Sequence, residues 1–136
     1  MLKMTGLGKV YRTERIETHA LRGVDVEVRE GEFIAVTGPS GSGKTTFLNV
    51  AGLLEDASSG RYELDGTDVT ALDDDARSRL RNRAIGFIFQ GFNLIPELNL
   101  ADNVDVPLRY RGLPAAERRQ RIAQALAQVG LASRAR

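Results

Sequence analysis

The chain has 136 residues, of which 42% are hydrophobic and 27% are charged, as in one ordinary globular domain. With a net charge of +1, nothing in the overall composition marks a nucleic-acid binder, so we expect no nucleic-acid partner. The sequence has no cysteine for a disulfide or a thiolate metal site, and no apolar run of the roughly 18 residues that a membrane helix needs.

Three segments near the start of the chain have the patterns of β-strands. Residues 2–10 are weakly strand-like, and Val24, Val26 and Val28 alternate with charged residues, which predicts a strand with one buried face. Residues 33–36, FIAV, are apolar at every position, which is typical of a central parallel strand that is buried on both faces.

A glycine-rich loop follows this apolar segment. Gly38, Gly43, Lys44 and Thr45 match the pattern G-x-x-x-x-G-K-[S/T], in which the backbone N–H groups of a tight loop face phosphate oxygens. Lys44 adds a positive charge, Thr45 offers a hydroxyl to Mg²⁺, and a helix predicted over residues 44–54 adds its positive end. A glycine-rich turn without a ligand is the alternative. The candidate phosphate-binding residues are Gly38, Pro39, Ser40, Gly41, Ser42, Gly43, Lys44, Thr45 and Thr46.

The middle of the chain predicts a strand, a helix and a second buried strand. Residues 61–64 read as a strand between two turns, and residues 73–83 as a helix with acids in its first turn and arginines in its last. The three consecutive aspartates at its start point in different directions around the helix axis, so they predict no metal site. Residues 84–90, AIGFIFQ, predict the second buried strand.

The last third of the chain predicts helical structure. Pro107 limits any helix through residues 100–110, because proline lacks the N–H that the helix needs. From Pro114 the pattern is clearer, with proline at the first helical position and Gly130 as the stop. This helix is predicted to place three apolar residues on one face, Ile122, Leu126 and Val129.

Three stretches together resemble a known family. They are GPSGSGKTTFLN from Gly38, IGFIFQGFNLIP from Ile85, and YRTERIETHALRGVDVEVREGEFIAVTG from Tyr11. In these stretches the sequence is similar to the ATP-binding subunits of ABC transporters, above all to the branch that serves lipoprotein release and macrolide-type export. The resemblance implies an α/β P-loop NTPase fold of the ABC type. It places the ATP-binding core and an antiparallel β subdomain in about residues 1–90, and the start of a helical subdomain in about residues 91–136.

The resemblance also implies roles for single residues. Tyr11 is expected to stack on adenine, although a tyrosine at a strand end can also serve packing alone. Gln90 matches the glutamine that contacts Mg²⁺ and the attacking water, and Thr45 is the other expected Mg²⁺ ligand. Lys44 is expected to hold the outer phosphates, so the implied cofactors are ATP and Mg²⁺.

A partner surface is implied as well. Residues 92–100, which begin at Phe92 and end at Leu100, match the segment that receives a membrane permease subunit. A covered core loop is the alternative for these residues. The intact relative is expected to form a homodimer of ATP-binding subunits that is cytoplasmic and peripheral at the inner face of the plasma membrane.

Several parts that such an ATPase uses for hydrolysis are absent from these 136 residues. No Asp-Glu pair ends an apolar segment, and neither the signature LSGGQ nor a histidine after the glycine-rich loop is present. The sequence is therefore expected to be truncated, to bind ATP without hydrolysing it, and to leave Phe33, Ile34 and Val36 at an open apolar edge. A non-hydrolysing nucleotide-binding or interaction module is the main alternative, and a small-molecule kinase is a weaker one.

Overall fold

The computed structural model describes residues 1–135 and contains two compact units, Met1–Arg81 and a second unit that begins at Asn82. The first unit contains a β-sheet, a helix packed on it and most of a second helix, and the second unit is mainly helical. Among the described residues, no helix combines the length and the apolar character that crossing a lipid bilayer requires.

The first unit is organised around a sheet of four antiparallel strands. The strands are β1 (Leu2–Arg12), β2 (Glu17–Val28), β3 (Ser59–Leu64) and β4 (Thr67–Asp68). Their spatial order is β2-β1-β3-β4, so β1 is paired on both sides. The strands predicted over residues 2–10 and 61–64 and around the alternating valines are confirmed.

The alternation of apolar residues decides which face of the sheet is buried. Val26 and Val28 of β2 lie opposite Met4 and Leu2 of β1, and Val24 lies opposite Leu7. Side chains on one face of an antiparallel pair pack against each other, which removes apolar surface from water. The core is completed by residues from several elements: Met4, Leu7, Leu21, Phe47, Val50, Leu53, Tyr62 and Val69.

Helix α1 (Lys44–Ala51) is anchored to this core. Phe47 and Val50 bury its inner face. At its end, the hydroxyl of Tyr62 on β3 donates a hydrogen bond of 2.7 Å to the carbonyl oxygen of Ala51. Burial raises the pKa of Tyr62 to about 12. The sheet therefore fixes the helix that the glycine-rich loop enters.

Helix α2 (Asp74–Ala84) confirms the helix predicted over residues 73–83. The carboxylate of Asp73 accepts a hydrogen bond of 2.7 Å from the N–H of Ala76, as an N-terminal capping residue does. No cluster of three or more His, Cys, Asp or Glu side chains that could hold a metal ion occurs in the part of the chain that the structure describes. The cap formed by Asp73, with Asp74 and Asp75 in the first turn, supports the interpretation of these acids as helix-start residues.

Two segments that were predicted as buried strands are not strands in the structure. Residues 33–36 and 85–90 pair with no strand among residues 1–135, and Phe33 and Ile88 are 95% and 104% exposed. A strand is defined by its hydrogen-bonded neighbours, and an entirely apolar strand needs layers on both of its faces. The apolar pattern indicates side chains that favour burial, but within residues 1–135 no neighbouring strand covers them. Phe33, Ile34 and Val36 are exposed, as expected, but they belong to no strand and so form no edge of a sheet.

The second unit contains α3 (Leu100–Tyr110), α4 (Ala115–Gln128) and a short 3₁₀ helix (Ala132–Arg134). The expectation that Pro107 would limit the first of these helices is wrong, because α3 continues through it. The side chain of Asn99 caps the start of α3 by accepting from the N–H of Asp102 at 2.8 Å. The carbonyl oxygen of Pro107 still accepts from the N–H of Arg111 at 3.3 Å, so only the bond that proline cannot donate is lost.

Helix α4 stops before Gly130, which adopts a φ of 73°, as the sequence predicts. It begins at Ala115, so the prediction that Pro114 is the first helical residue is wrong by one position: Pro114 has a ψ of 146° and is the N-terminal capping residue. The apolar face of the helix is only partly as predicted. Leu126 is buried, whereas Val129 is exposed, because the helix ends at Gln128 and Val129 already lies in the turn.

Asp105 is a buried carboxylate that joins α3 to α4. Its Oδ2 accepts from Nε of Arg109 at 2.6 Å, and its Oδ1 accepts from Nε of Arg118 at 2.7 Å. The hydrogen bond from Arg109, followed by that from Arg118, lowers the pKa of Asp105, while burial acts in the opposite direction. Asp105 is therefore a charged link inside the second unit.

Candidate nucleotide-binding site

The glycine-rich loop connects residue 37 to the start of α1. Gly41 and Gly43 adopt φ values of 79° and 90°, in the left-handed region that favours glycine. A Cβ atom on Gly43 would lie 2.5 Å from the carbonyl oxygen of Ala20 on β2. The last glycine of the loop therefore lets the backbone pass directly against the sheet.

Lys44 folds back over the loop that precedes it. Its Nζ donates to the carbonyl oxygens of Gly38 and Pro39 at 2.7 and 2.6 Å, and it lies 3.4 Å from Oγ of Ser42. The half-buried side chain thus places one positive charge at the mouth of the loop. An anion bound there would meet an ammonium that is already held in place.

The N-terminus of α1 adds backbone donors beside this ammonium. The first helical bond runs from the N–H of Phe47 to the carbonyl oxygen of Gly43 at 2.8 Å. Within residues 1–135, the N–H groups of Gly43, Lys44 and Thr45 donate to no acceptor. The first turn also contains no acidic residue that would compensate the positive end of the helix. These features favour an anion with several oxygen atoms, such as a phosphate chain.

Tyr11 lies near the end of β1, in the same unit as the loop. Its hydroxyl donates a hydrogen bond to Oε2 of Glu55, and Nζ of Lys9 lies 5.3 Å from the centre of its ring. The side chain remains partly exposed. A flat, partly exposed ring with a tethered hydroxyl can stack on a base.

Gln90 lies in the second unit, whereas Lys44 and Thr45 lie in the first. It is exposed and follows Phe89, whose ring stacks on that of Phe87 at a centroid distance of 5.3 Å. The expectation that Gln90 ends a buried strand is wrong, since no strand partner for this segment occurs within the described residues.

The segment 92–100 is mostly exposed, with Leu98 and Leu100 half-buried, and is held by one polar side chain. Phe92 is 94% exposed, and Leu94 and Ile95 are also exposed, which argues against a covered core loop. The side chain of Asn103 accepts from the N–H of Ile95 at 2.7 Å and donates to the carbonyl oxygens of Ile95, Leu98 and Asn99 at 3.0 to 3.1 Å. Sequence reasoning did not single out Asn103 or Glu55, because each acts through contacts that have no local motif.

Comparisons with known proteins agree on one family. A family model described as ABC transporter matches residues 21–136. The uncharacterized ABC transporter ATP-binding protein YknY of Bacillus subtilis is 40% identical over 98% of this chain and 58% of its own length. The macrolide export ATP-binding/permease protein MacB of Azoarcus is 43% identical over 98% of this chain and 20% of its own length. The pyoverdine export ATP-binding/permease protein PvdT of Pseudomonas fluorescens is 48% identical over 87% of this chain and 18% of its own length.

A solved structure supports the same fold. The ATP-binding cassette MJ0796, in a dimeric post-hydrolysis state bound to ADP and Pi, superposes with a TM-score of 0.84 and 38% identity. The match covers 93% of this chain and 56% of that one, so the chain spans somewhat over half the length of the cassette. The P-loop fold of the ABC type and the likeness to the macrolide-export branch, both expected from the sequence, are confirmed.

Proposed function

We propose, from the premise that this chain belongs to the ABC transporter family, that its residues form the nucleotide-binding part of an ATP-binding subunit. The observation that carries the proposal is the ammonium of Lys44, held by the carbonyl oxygens of Gly38 and Pro39 at the start of a helix without first-turn acids. ATP is the nucleotide, and the residues proposed to contact its phosphates are Gly38, Pro39, Ser40, Gly41, Ser42, Gly43, Lys44, Thr45 and Thr46.

Mg²⁺ is proposed to accompany the phosphates. Thr45 is proposed as a ligand through its hydroxyl, a hard donor that this ion prefers, and the motif around Gln90 proposes its amide oxygen as another. Both side chains are exposed, and neither makes a recorded hydrogen bond within residues 1–135, which supports their availability. When bound, the ion supplies positive charge that neutralises phosphate oxygens. Lys44 and the N–H groups of the loop orient the phosphates.

Tyr11 is proposed to provide the platform for adenine. The support is its partly exposed ring and its place in the same unit as the loop. Stacking of a base on an aromatic ring is worth about 1–3 kcal/mol and does not depend strongly on which base is bound. Tyr11 would therefore add affinity for a nucleoside over a bare phosphate chain.

Residues 92–100 are proposed to receive a membrane permease. The support is the exposed apolar side chain of Phe92 together with the loop that Asn103 holds. The relatives MacB and PvdT are described as ATP-binding/permease proteins, so their ATP-binding part shares a chain with a permease. The proposed location is accordingly the cytoplasmic face of a membrane. A homodimer of ATP-binding subunits is proposed from the dimeric state of MJ0796.

ATP hydrolysis is proposed for the whole protein, and binding without turnover for residues 1–136 alone. The support is the set of residues that this sequence contains, with Lys44, Thr45 and Gln90 but no Asp-Glu pair and no LSGGQ signature.

A competition experiment tests the proposed binding. The purified chain is saturated with a fluorescent ATP analogue in the presence of Mg²⁺, and unlabelled ATP, AMP and tripolyphosphate are added separately. Because the site is built around phosphates, we expect ATP and tripolyphosphate to displace the probe and AMP to displace it only weakly. Displacement by AMP that equals displacement by ATP contradicts a phosphate-directed site, and absence of binding contradicts the proposal altogether.

A further inference from the structure

Tyr11 is tied to the helix that follows the glycine-rich loop. Its hydroxyl donates to Oε2 of Glu55, which lies 44 residues further along the chain. The other oxygen of the same carboxylate, Oε1, accepts from Nδ2 of Asn49 on α1 at 3.1 Å. One carboxylate therefore connects the end of β1 with the helix that begins at Lys44.

The backbone that carries Glu55 is itself fixed to α1. The carbonyl oxygen of Asn49 accepts from the N–H groups of both Leu54 and Glu55, at 2.8 and 3.2 Å. The preceding residue, Leu53, is buried and adopts a φ of 57°, which is unusual for a leucine. Its carbonyl oxygen accepts from Nη1 of Arg81 at 2.5 Å. Such a turn leaves little freedom to the first atoms of the Glu55 side chain.

Lys9 completes the surroundings of the carboxylate. The side chain of Lys9 is only 12% exposed, and its Nζ lies 3.9 Å from Oε2 of Glu55 and 3.1 Å from Oδ1 of Asp56. It also lies 5.3 Å from the centre of the Tyr11 ring. The cation therefore compensates the negative charge of Glu55 and lies over the ring of Tyr11, a residue that remains 39% exposed.

We propose that Glu55 is a positioning residue for the nucleotide base and that it acts through Tyr11. The inference rests on the proposed role of Tyr11 as the base platform. A hydrogen bond at the tip of the ring limits its rotation, so less conformational freedom is lost when a base stacks on it. Because the same carboxylate binds Asn49, the platform also keeps a constant position relative to the helix that follows the phosphate loop.

The proposal is tested by comparing Mg·ATP with Mg·tripolyphosphate, since only ATP has a base. We expect Glu55→Ala and Tyr11→Phe each to weaken ATP binding by about 2- to 12-fold, the effect of one lost hydrogen bond. Tripolyphosphate binding should stay unchanged in both variants. The double variant should bind ATP no more weakly than either single variant, because both changes break the same contact. Glu55→Gln, which keeps hydrogen-bonding atoms in place, should recover most of the affinity.

Two further variants make the result unambiguous. Glu30→Ala removes a carboxylate from an exposed turn of the same unit and should change neither affinity. Tyr11→Ala tests the proposed stacking of adenine on Tyr11. If this variant binds ATP as tightly as the unchanged protein, Tyr11 does not bind the base, and the role of Glu55 is overturned as well. If Tyr11→Ala weakens ATP binding but Glu55→Ala does not, only the role of Glu55 is overturned. An equal loss of tripolyphosphate binding in Glu55→Ala also overturns it, because the carboxylate then supports the fold rather than the base.

Discussion

Gly43 passes so close to Ala20 that the sheet and the phosphate loop leave no room for a side chain between them. A Cβ on Gly43 would lie 2.5 Å from the carbonyl oxygen of Ala20 and 3.4 Å from a methyl group of Leu21. The contact fixes the point at which α1 begins. It thereby sets where the ammonium of Lys44 and the first N–H groups of the helix are presented.

The first prediction compares the stability of two variants in which a loop glycine is replaced by alanine. Gly41 and Gly43 both have left-handed φ values, but a Cβ on Gly41 would meet nothing within 4 Å. We expect Gly41→Ala to lower the free energy of unfolding by about 1 kcal/mol through backbone strain alone. Gly43→Ala should lower it by about 3 kcal/mol, because strain and collision add. Urea denaturation followed by circular dichroism measures both, and equal losses would contradict the close contact.

Lys44 is the subject of the second prediction. Replacing it with alanine removes one charge-assisted contact worth about 1.5–3 kcal/mol, so ATP should bind about 10- to 150-fold more weakly. Titration with a fluorescent ATP analogue measures the change. Lys3→Ala, which removes an exposed lysine from β1, is the matched control and should leave the affinity unchanged. An unchanged affinity of Lys44→Ala for ATP would contradict the proposal that the loop binds the phosphates.

The strands of the antiparallel sheet are predicted well from the sequence. The two segments predicted as buried strands, residues 33–36 and 84–90, are predicted poorly. Val24, Val26 and Val28 alternate with charged residues, and this local period is sufficient to place β2. For Phe33 and Ile88 the apolar runs indicate burial, but burial depends on partners that no local pattern supplies. The period of a strand is encoded locally, whereas its neighbours are not.

The same distinction applies to the candidate site. The loop around Lys44 could be predicted, because its glycines and its lysine serve a function at fixed spacing. The link from Tyr11 to Glu55 spans 44 residues and has no spacing rule, so it becomes visible only in the fold. The helix through Pro107 was missed for a related reason, since the capping hydrogen bond of Asn99 favours a helix that proline disfavours.

The third prediction concerns the loop that Asn103 holds. The N–H of Ile95 donates to Oδ1 of Asn103 at 2.7 Å, so Asn103→Ala removes the acceptor that protects this amide. We expect hydrogen exchange at Ile95 to accelerate by about tenfold or more, which corresponds to a loss of about 1.4 kcal/mol in local stability. Exchange measured by NMR checks this. Glu97→Ala is the control, because the side chain of Glu97 makes no recorded hydrogen bond within residues 1–135. Equal exchange in both variants would contradict the role of Asn103.

The fourth prediction is a pH dependence that arises from Asp105. Its pKa in the folded protein lies below its ordinary value of 3.8, mainly because of Arg109 and then Arg118. A carboxyl group with a lowered folded pKa contributes stability that is complete above the unfolded pKa. The contribution should be lost as the pH falls through 3.8 and then through the lower folded value.

Asp105→Asn separates this contribution from those of other groups. Lys9 and a backbone hydrogen bond lower the pKa of Asp56, and Thr70 lowers that of Asp68, so acid weakens the first unit as well. The difference in melting temperature between the protein and Asp105→Asn should therefore be largest near neutral pH and shrink below about pH 4. A difference that is constant across this range would show that the charge of Asp105 does not stabilise the second unit.

The fifth prediction is that residues 1–136 bind Mg·ATP but release phosphate no faster than the uncatalysed background. Lys44, Thr45 and Gln90 are available to hold the phosphates and the ion, but positioning alone does not activate water. Catalysis also needs a carboxylate that polarises the water, and the two apolar segments that the sequence predicts as strands, residues 33–36 and 84–90, are followed by Thr37 and by Gly91 rather than by Asp or Glu. Self-association does not add what is absent, since two copies still contain no LSGGQ segment.

Phosphate release from the purified chain, with Lys44→Ala as the control for contaminating ATPases, measures the rate. Turnover that depends on Lys44 and approaches roughly 1 s⁻¹, an ordinary enzymatic rate, would show that another carboxylate of this chain activates the water.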